Sequence, residues 1–176
     1  MGLLRHRHDD DAAAGTSVRY QMRQRLVAIG DDYWIETQDG QRAFRVDGKA
    51  LRVRKTFVLE DAAGHEVAKL QERKLSVRDK MDIERDGHAL ATIRKRMVGV
   101  RDRFIVDVEG GPDMEAMGNL VDHEYEIHRD GDTVASVSKK WFRVRDTYGV
   151  EVAPGEDDAL VLAITVCIDA MSHPRD

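Results

Sequence analysis

Asp158-Ala-Leu-Val-Leu-Ala-Ile-Thr-Val-Cys-Ile-Asp-Ala-Met171 stands apart from everything that precedes it. Between Ala159 and Ile168 there is no charge and a single hydroxyl, Thr165. A surface helix shows a polar face every third or fourth residue; this run shows none and predicts a helix, about 157–171, buried on all sides. It is shorter than the roughly 20 apolar residues needed to cross a bilayer. Glu156-Asp157-Asp158 puts acids at its N-terminus, where the helix dipole favours them, and Pro174 bars continuation past its end.

Upstream the pattern has period two. Residues 1–17 carry His6, His8 and Asp9-Asp10-Asp11 beside an Ala/Gly run and read as a disordered N-terminal arm, a solvated segment rather than a metal site. Strand patterns follow at Tyr20–Ala28, Tyr33–Thr37, Arg42–Val46 and Ala50–Leu59, with turn signals at Asp31-Asp32, Asp39-Gly40, Asp47-Gly48 and Asp61–Gly64. Then the chain repeats itself. Gly64, Ala68 and Val77-Arg78-Asp79 recur without gaps as Gly87, Ala91 and Val100-Arg101-Asp102, and again as Gly131, Ala135 and Val144-Arg145-Asp146. A basic residue recurs as well (Arg73, Arg96, Lys140). A unit of about 22 residues is two strands and two turns. Residues 19–152 hold about six such units, hence about twelve strands, mostly antiparallel. A sheet of that width curls or closes, and closure removes its edges. Propeller blades need roughly 40 residues each, too many for this length. The expected fold is mainly β: a closed antiparallel barrel of about 12 strands wrapped around the C-terminal helix, forming one domain over 18–173. The recurring Ala leaves room for the helix, and the Val-Arg-Asp triplet marks where one strand hands over to the next.

With 176 residues, 41% hydrophobic and 35% charged, the chain is long enough for one sizeable core and too apolar to be disordered throughout. Its one cysteine, Cys167, leaves no disulfide or zinc-finger framework. Met1-Gly-Leu-Leu-Arg5 lacks the apolar core of a cleavable signal, and His6 stands where a myristoylation motif wants Ser or Thr. The expected compartment is the cytoplasm, with peripheral association at a membrane. The net charge of −5 conceals a basic centre: residues 42–108 carry 17 basic and 11 acidic side chains, residues 109–133 one and eight.

Several blocks carry a family resemblance: Gly118-Asn-Leu-Val-Asp-His-Glu-Tyr125-Glu-Ile127, Val137-Ser-Lys-Lys-Trp141-Phe142, Arg145-Asp-Thr-Tyr148-Gly-Val150, and the closing Pro154-Gly-Glu-Asp-Asp-Ala-Leu-Val-Leu-Ala-Ile164 with Ile168-Asp169. Tyr20-Gln-Met-Arg-Gln24 and Phe57-Val-Leu-Glu-Asp61 agree with it. Over about residues 19–171 the chain resembles the LURP-one-related family, part of a tubby C-terminal-like superfamily that includes the phospholipid scramblases. The resemblance implies a barrel of about twelve strands around a hydrophobic C-terminal helix. Tubby domains bind phosphoinositide headgroups and scramblases act at membranes with calcium. No binding residue of either carries over, and there is no cysteine-rich palmitoylation stretch or clear calcium loop here.

No Gly-x-Ser-x-Gly elbow, phosphate loop, dinucleotide fingerprint or His-Glu-x-x-His occurs. His128-Arg-Asp130 matches the kinase triplet without any other kinase element. Cys167 sits among apolar groups, where a thiol is inert. His65 and His88 follow turn glycines at equivalent repeat positions, which suggests a loop role. No metal and no cofactor is expected. The anion-binding candidates are basic and repeat-related: Arg94, Lys95, Arg96, Arg101, Arg103, Lys139, Lys140, Arg143 and Arg145. Gathered at one end or side of a barrel, they would hold a phosphate through charge-assisted hydrogen bonds. Nucleic acid is disfavoured by the acidic total and the scarcity of aromatics. The expectation is a non-enzymatic binding or scaffold domain for an anionic ligand, such as a phospholipid or phosphoinositide headgroup, or for a protein partner. The alternative is an enzyme acting on a small phosphorylated or lipid-like substrate through an acid/histidine pocket near 122–130, with Asp122, His123, Glu124, Glu126, His128 and Asp130. A plugged lumen would confine any site to the outer wall or a rim.

Overall fold

A computed structural model of the chain describes residues 15–23, 32–48, 55–73, 80–98 and 101–172. Twelve strands alternate with turns: β1 (Val18–Arg23), β2 (Tyr33–Thr37), β3 (Arg42–Gly48), β4 (Thr56–Asp61), β5 (Glu66–Glu72), β6 (Lys80–Arg85), β7 (His88–Val98), β8 (Arg101–Val108), β9 (Met114–Asn119), β10 (Glu124–Arg129), β11 (Asp132–Ser138) and β12 (Thr147–Val152). One α-helix among the described residues, α1 (Asp158–Ser172), follows. Each strand pairs antiparallel with its sequence neighbour, and β1 closes on β12 with Val18 opposite Val152 and Arg23 opposite Thr147. The barrel is closed.

The lumen is apolar because alternate strand residues point inward. Ile35, Leu59, Leu70, Ile83, Ile93, Phe104, Ile127 and Val150 are fully enclosed. Leu160 to Met171 of α1 are all buried, so the helix faces strand side chains in every direction. Its backbone lies nearest β5, β7, β6 and β12. Ala68 on β5 and Ala91 on β7 are the small inward residues that let it approach.

The repeat encodes a bend as well as a strand. Ala68 pairs with Leu59 and Glu66 with Glu60, so Val67 is left over. Leu90 is left over between Ala91 and Ala89, and Val134 between Ala135 and Thr133. A fourth bulge, unforeseen from the repeat, leaves Ala43 over between Phe44 and Arg42. Each bulged residue stands three positions after a turn glycine: Gly40, Gly64, Gly87 or Gly131. Bulges increase local twist and bend a strand, which is how a sheet this wide curls into closure. Asp86-Gly87 and Asp130-Gly131 are two-residue hairpin loops with φ of 52° and 76°, and 52° and 89°. Two consecutive positive φ values define the hairpin turn that suits Asp-Gly.

Two expectations need correction. Asp47-Gly48 is not a hairpin: both residues continue β3, opposite Val58 and Phe57, because strand pairing there outlasts the local turn signal. The Val-Arg-Asp triplet does not keep one conformation. Arg101-Asp102 opens β8, whereas Val144-Arg145-Asp146 lies in a loop before β12 that carries a 3-10 helix, Lys139–Trp141. The triplet Val77-Arg78-Asp79 and residues 1–14 of the arm lie outside the described residues.

Both ends of α1 are tied to the barrel. Asp157 caps the helix, accepting from the Leu160 amide at 3.0 Å, and receives the Arg85 guanidinium at 2.7 and 3.1 Å. Burial pushes the Asp157 carboxyl up, but Arg85 and the Leu160 amide outweigh it and hold it below the usual range. Glu156 is held by Arg129 at 2.9 Å, and the Tyr20 hydroxyl donates to Asp158. At the far end the buried Asp169 carboxylate meets His123 Nε2 at 2.6 Å. His123 stacks on Tyr148 with ring centroids 4.2 Å apart. Burial, with Asp169 nearby, pushes the hydroxyls of Tyr33, Tyr125 and Tyr148 up.

Three outcomes follow from this architecture. Ile164→Asp should abolish cooperative folding, because it places an unpaired charge in a sealed lumen, whereas Ile164→Val should cost about 1 kcal/mol; a soluble, cooperatively melting Asp variant would contradict the enclosure. Asp169→Ala should cost roughly 3–5 kcal/mol in urea melts, against less than about 1 kcal/mol for Asp107→Ala in the exposed Arg94 pair; equal effects would show that the buried pair anchors nothing. Because the Asp157 carboxyl is depressed in the fold, its contribution is present above the unfolded value near 3.8 and fades as pH falls through the folded value. Asp157→Asn should therefore flatten the fall of stability with acid below that pH.

Candidate functional site at the loop rim

Strand direction divides the connections between two rims. The turns leaving even-numbered strands, with the N-terminus of α1, form one end. They are short and acidic: Asp39, Asp61, Glu66, Asp86, Glu109, Asp113, Asp130, Asp132, Glu156, Asp157 and Asp158, against Arg42, Arg85 and Arg129 among the described residues. The connections leaving odd-numbered strands, with the C-terminus of α1, form the other end. Among the described residues Arg23, Lys55, Arg73, Lys80, Lys95, Arg96, Arg101, Arg103, Lys139, Lys140, Arg143 and Arg145 lie on or beside them, against Asp32, Asp47, Glu72, Asp102, Asp122, Glu124 and Asp146. The molecule is electrically polar along the barrel axis. The helix dipole runs against that polarity and is stabilised by it, its positive end at the acidic rim and its negative end at the basic one.

The predicted basic residues share this end but not one chemistry. Arg94 lies farther down the wall, bound to Asp107 at 3.0 Å across β7–β8. Lys95 is paired with Asp102 at 2.8 Å and Arg103 with Glu115 at 3.0 Å. These three neutralise carboxylates of the sheet. Lys140, 81% exposed, reaches Glu124 at 3.8 Å. Arg96, Arg143 and Arg145 are exposed and form no ion pair among the described residues. Lys139 contributes its backbone amide to Glu124 at 3.1 Å. The side chain of Arg101 lies outside the described residues.

The loop that presents Arg143 and Arg145 is built on specific contacts. Ser138 caps the 3-10 helix, accepting from the Lys140 amide at 3.1 Å and donating to Glu124 at 2.9 Å. Trp141 and Phe142 fold back onto β12 over Gly149, where a Cβ would stand 2.7 and 2.8 Å from their rings. Only glycine fits beneath them. The Arg19 guanidinium covers the Trp141 ring at 4.5 Å.

The acids and histidines of 122–130 do not converge. His123 points into the core to Asp169, and Glu124 caps the 3-10 helix. Asp122 is held by Asn119 at 2.7 Å. Glu126 and His128 pair on the outer wall at 3.2 Å, and Asp130 sits in the turn of the opposite rim. An open groove of about 490 Å³ runs past Glu124, Glu126, Ser138, Lys140 and Trp141, without a histidine. Composition and repeat spacing gave no sign of Asp169 as a partner for His123, since it ends an apolar helix. They also missed the apolar side of the rim. Met97 is 77% exposed, Val121 53% and Val144 58%, each on or beside a connection at this end. Each reads as an ordinary strand or core residue in sequence.

No described helix is long and apolar enough to cross a membrane. The outward positions of the sheet carry the ion pairs described above, whereas a membrane barrel carries an apolar band there.

A search of curated proteins finds no match to this chain. Among solved structures, an X-ray structure of a protein from Arabidopsis thaliana superposes with a TM-score of 0.69 at 19% identity, covering 91% of this chain and 94% of that one. At that identity the likeness concerns the fold. The family model described as LURP-one-related matches residues 18–169, from the first residue of β1 to the buried aspartate of α1. The chain belongs to the LURP-one-related family.

Proposed function

We propose that this chain is a non-enzymatic binding domain whose basic loop rim takes phosphate-bearing anions, free or as lipid headgroups. The carrying observation is the division of charge between the rims: Arg96, Arg143 and Arg145 are exposed at the basic end, and the acidic turns lie at the other. Guanidinium groups fit phosphate through paired, charge-assisted hydrogen bonds. The field of the whole barrel would steer an anion towards the same end. A binding role also suits the residues of 122–130, whose acids and histidines are engaged as caps, turn contacts and a core pair rather than gathered around one reacting position.

Calorimetric titration with inositol hexakisphosphate at low salt tests the reading. The protein should bind it, and the combined variant Arg96→Gln, Arg143→Gln, Arg145→Gln should weaken binding at least about tenfold. Arg94→Gln, on the outer wall and engaged with Asp107, should leave it within about twofold. No binding by the unaltered protein, or equal binding by the triple variant, would overturn it.

A further inference from the structure

We infer that the loop rim is a membrane-docking face, in which Met97, Val121 and Val144 enter the headgroup layer of an anionic bilayer while Arg96, Arg143 and Arg145 meet lipid phosphates. The inference rests on the basic-rim reading and goes further, because it commits the rim to a surface rather than a dissolved anion.

Three observations carry it. Four large hydrophobic side chains are prominently exposed among the described residues, and three belong to this one rim; Val18 alone lies at the other. Met97, Val121 and Val144 sit on or beside the β7–β8, β9–β10 and β11–β12 connections, which are consecutive around the barrel. Scattered exposed apolar residues need no explanation, but three on adjacent connections, interspersed with arginines that form no ion pair among the described residues, match the composition of an interfacial membrane contact.

Size decides between a dissolved ligand and a surface. Neighbouring strands stand about 4.8 Å apart, so the four spacings from β7 to β11 span roughly 19 Å of rim. One small phosphate compound engages only part of that arc at a time, whereas a plane of lipid headgroups meets all of it. A dissolved anion would also leave the three apolar side chains without a role. Insertion must be shallow, since charged pairs begin directly below the rim, Arg103–Glu115 on the outer wall and Lys95–Asp102 at the mouth of the barrel. The acidic turns point the opposite end away from a negative surface, fixing the orientation.

The chain suits a direct test. Its one cysteine, Cys167, is sealed in the core, so Met97→Cys, Val121→Cys and Val144→Cys each provide one accessible thiol for an environment-sensitive nitrobenzoxadiazole label. Ala63→Cys, exposed on the acidic rim, is the control. With phosphatidylcholine vesicles containing phosphatidylserine, the three rim labels should brighten and shift to the blue while the Ala63 label does not; pure phosphatidylcholine should leave all four unchanged. In the unlabelled protein, Val121→Gln with Val144→Gln, which removes the apolar side chains without adding charge, should lower partitioning onto the phosphatidylserine vesicles at least about tenfold, with inositol hexakisphosphate affinity kept within about twofold. Unresponsive rim labels, or an equal response at Ala63, would overturn docking. If the arginine variants still weaken inositol hexakisphosphate binding in that case, the basic-rim reading survives alone; if they do not, both fail.

Discussion

The fold depends on one constraint: a closed sheet of twelve strands encloses a lumen that must be filled, and the chain fills it with a single apolar helix. A helix with its side chains is about 10–12 Å across, so α1 and the inward strand residues together occupy the interior. Neither part is stable alone. The helix has no polar face to show to water, and the barrel without it would leave an apolar hollow. This interdependence explains why Ala68 and Ala91 are small where the helix backbone comes closest, and why Leu160 to Met171 are buried without exception. Polar contacts with named partners then fix the depth of the helix. Arg85, Arg129 and Tyr20 hold its acidic entrance, and His123 meets Asp169 near its exit.

Filling the lumen with the core removes it as a binding site, and the two rims divide the remaining work. One carries the tight glycine turns, whose bulges curl the sheet, together with the acids that grip the helix. It is structural. The other is relieved of that duty and carries the longer connections, among them the 3-10 helix folded over Gly149. Charge follows the same division. Loops that position charge on a rigid scaffold are where function concentrates, and here that places the candidate surface at the basic end.

Much of the architecture was legible because it is written in local patterns. Alternation marked the strands, Asp39-Gly40 and Asp61–Gly64 marked two turns, and the uninterrupted apolar run marked α1. The recurring Gly and Ala were readable as a repeat, but their meaning, a bulge three residues after each turn, is a matter of register between strands and was not. Asp47-Gly48 misled because a local turn signal yields to continued pairing with Val58 and Phe57. The site was less legible still. The basic residues were visible, but which of them are neutralised depends on Asp102, Asp107 and Glu115 lying across the sheet. His123 was read with its sequence neighbours, although its partner stands 46 residues away on α1.

If barrel and helix form one cooperative unit, they must open together. Native-state hydrogen exchange measures this directly, because each amide reports the free energy of the opening that exposes it. The backbone amides of Leu162 to Ile168 should exchange only through global unfolding, with the same free energy and denaturant dependence as those of Ile93 on β7 and Phe104 on β8. Helix amides that exchange through a cheaper opening, while the strand amides stay protected, would mean that the barrel stands without its filling and would contradict the account.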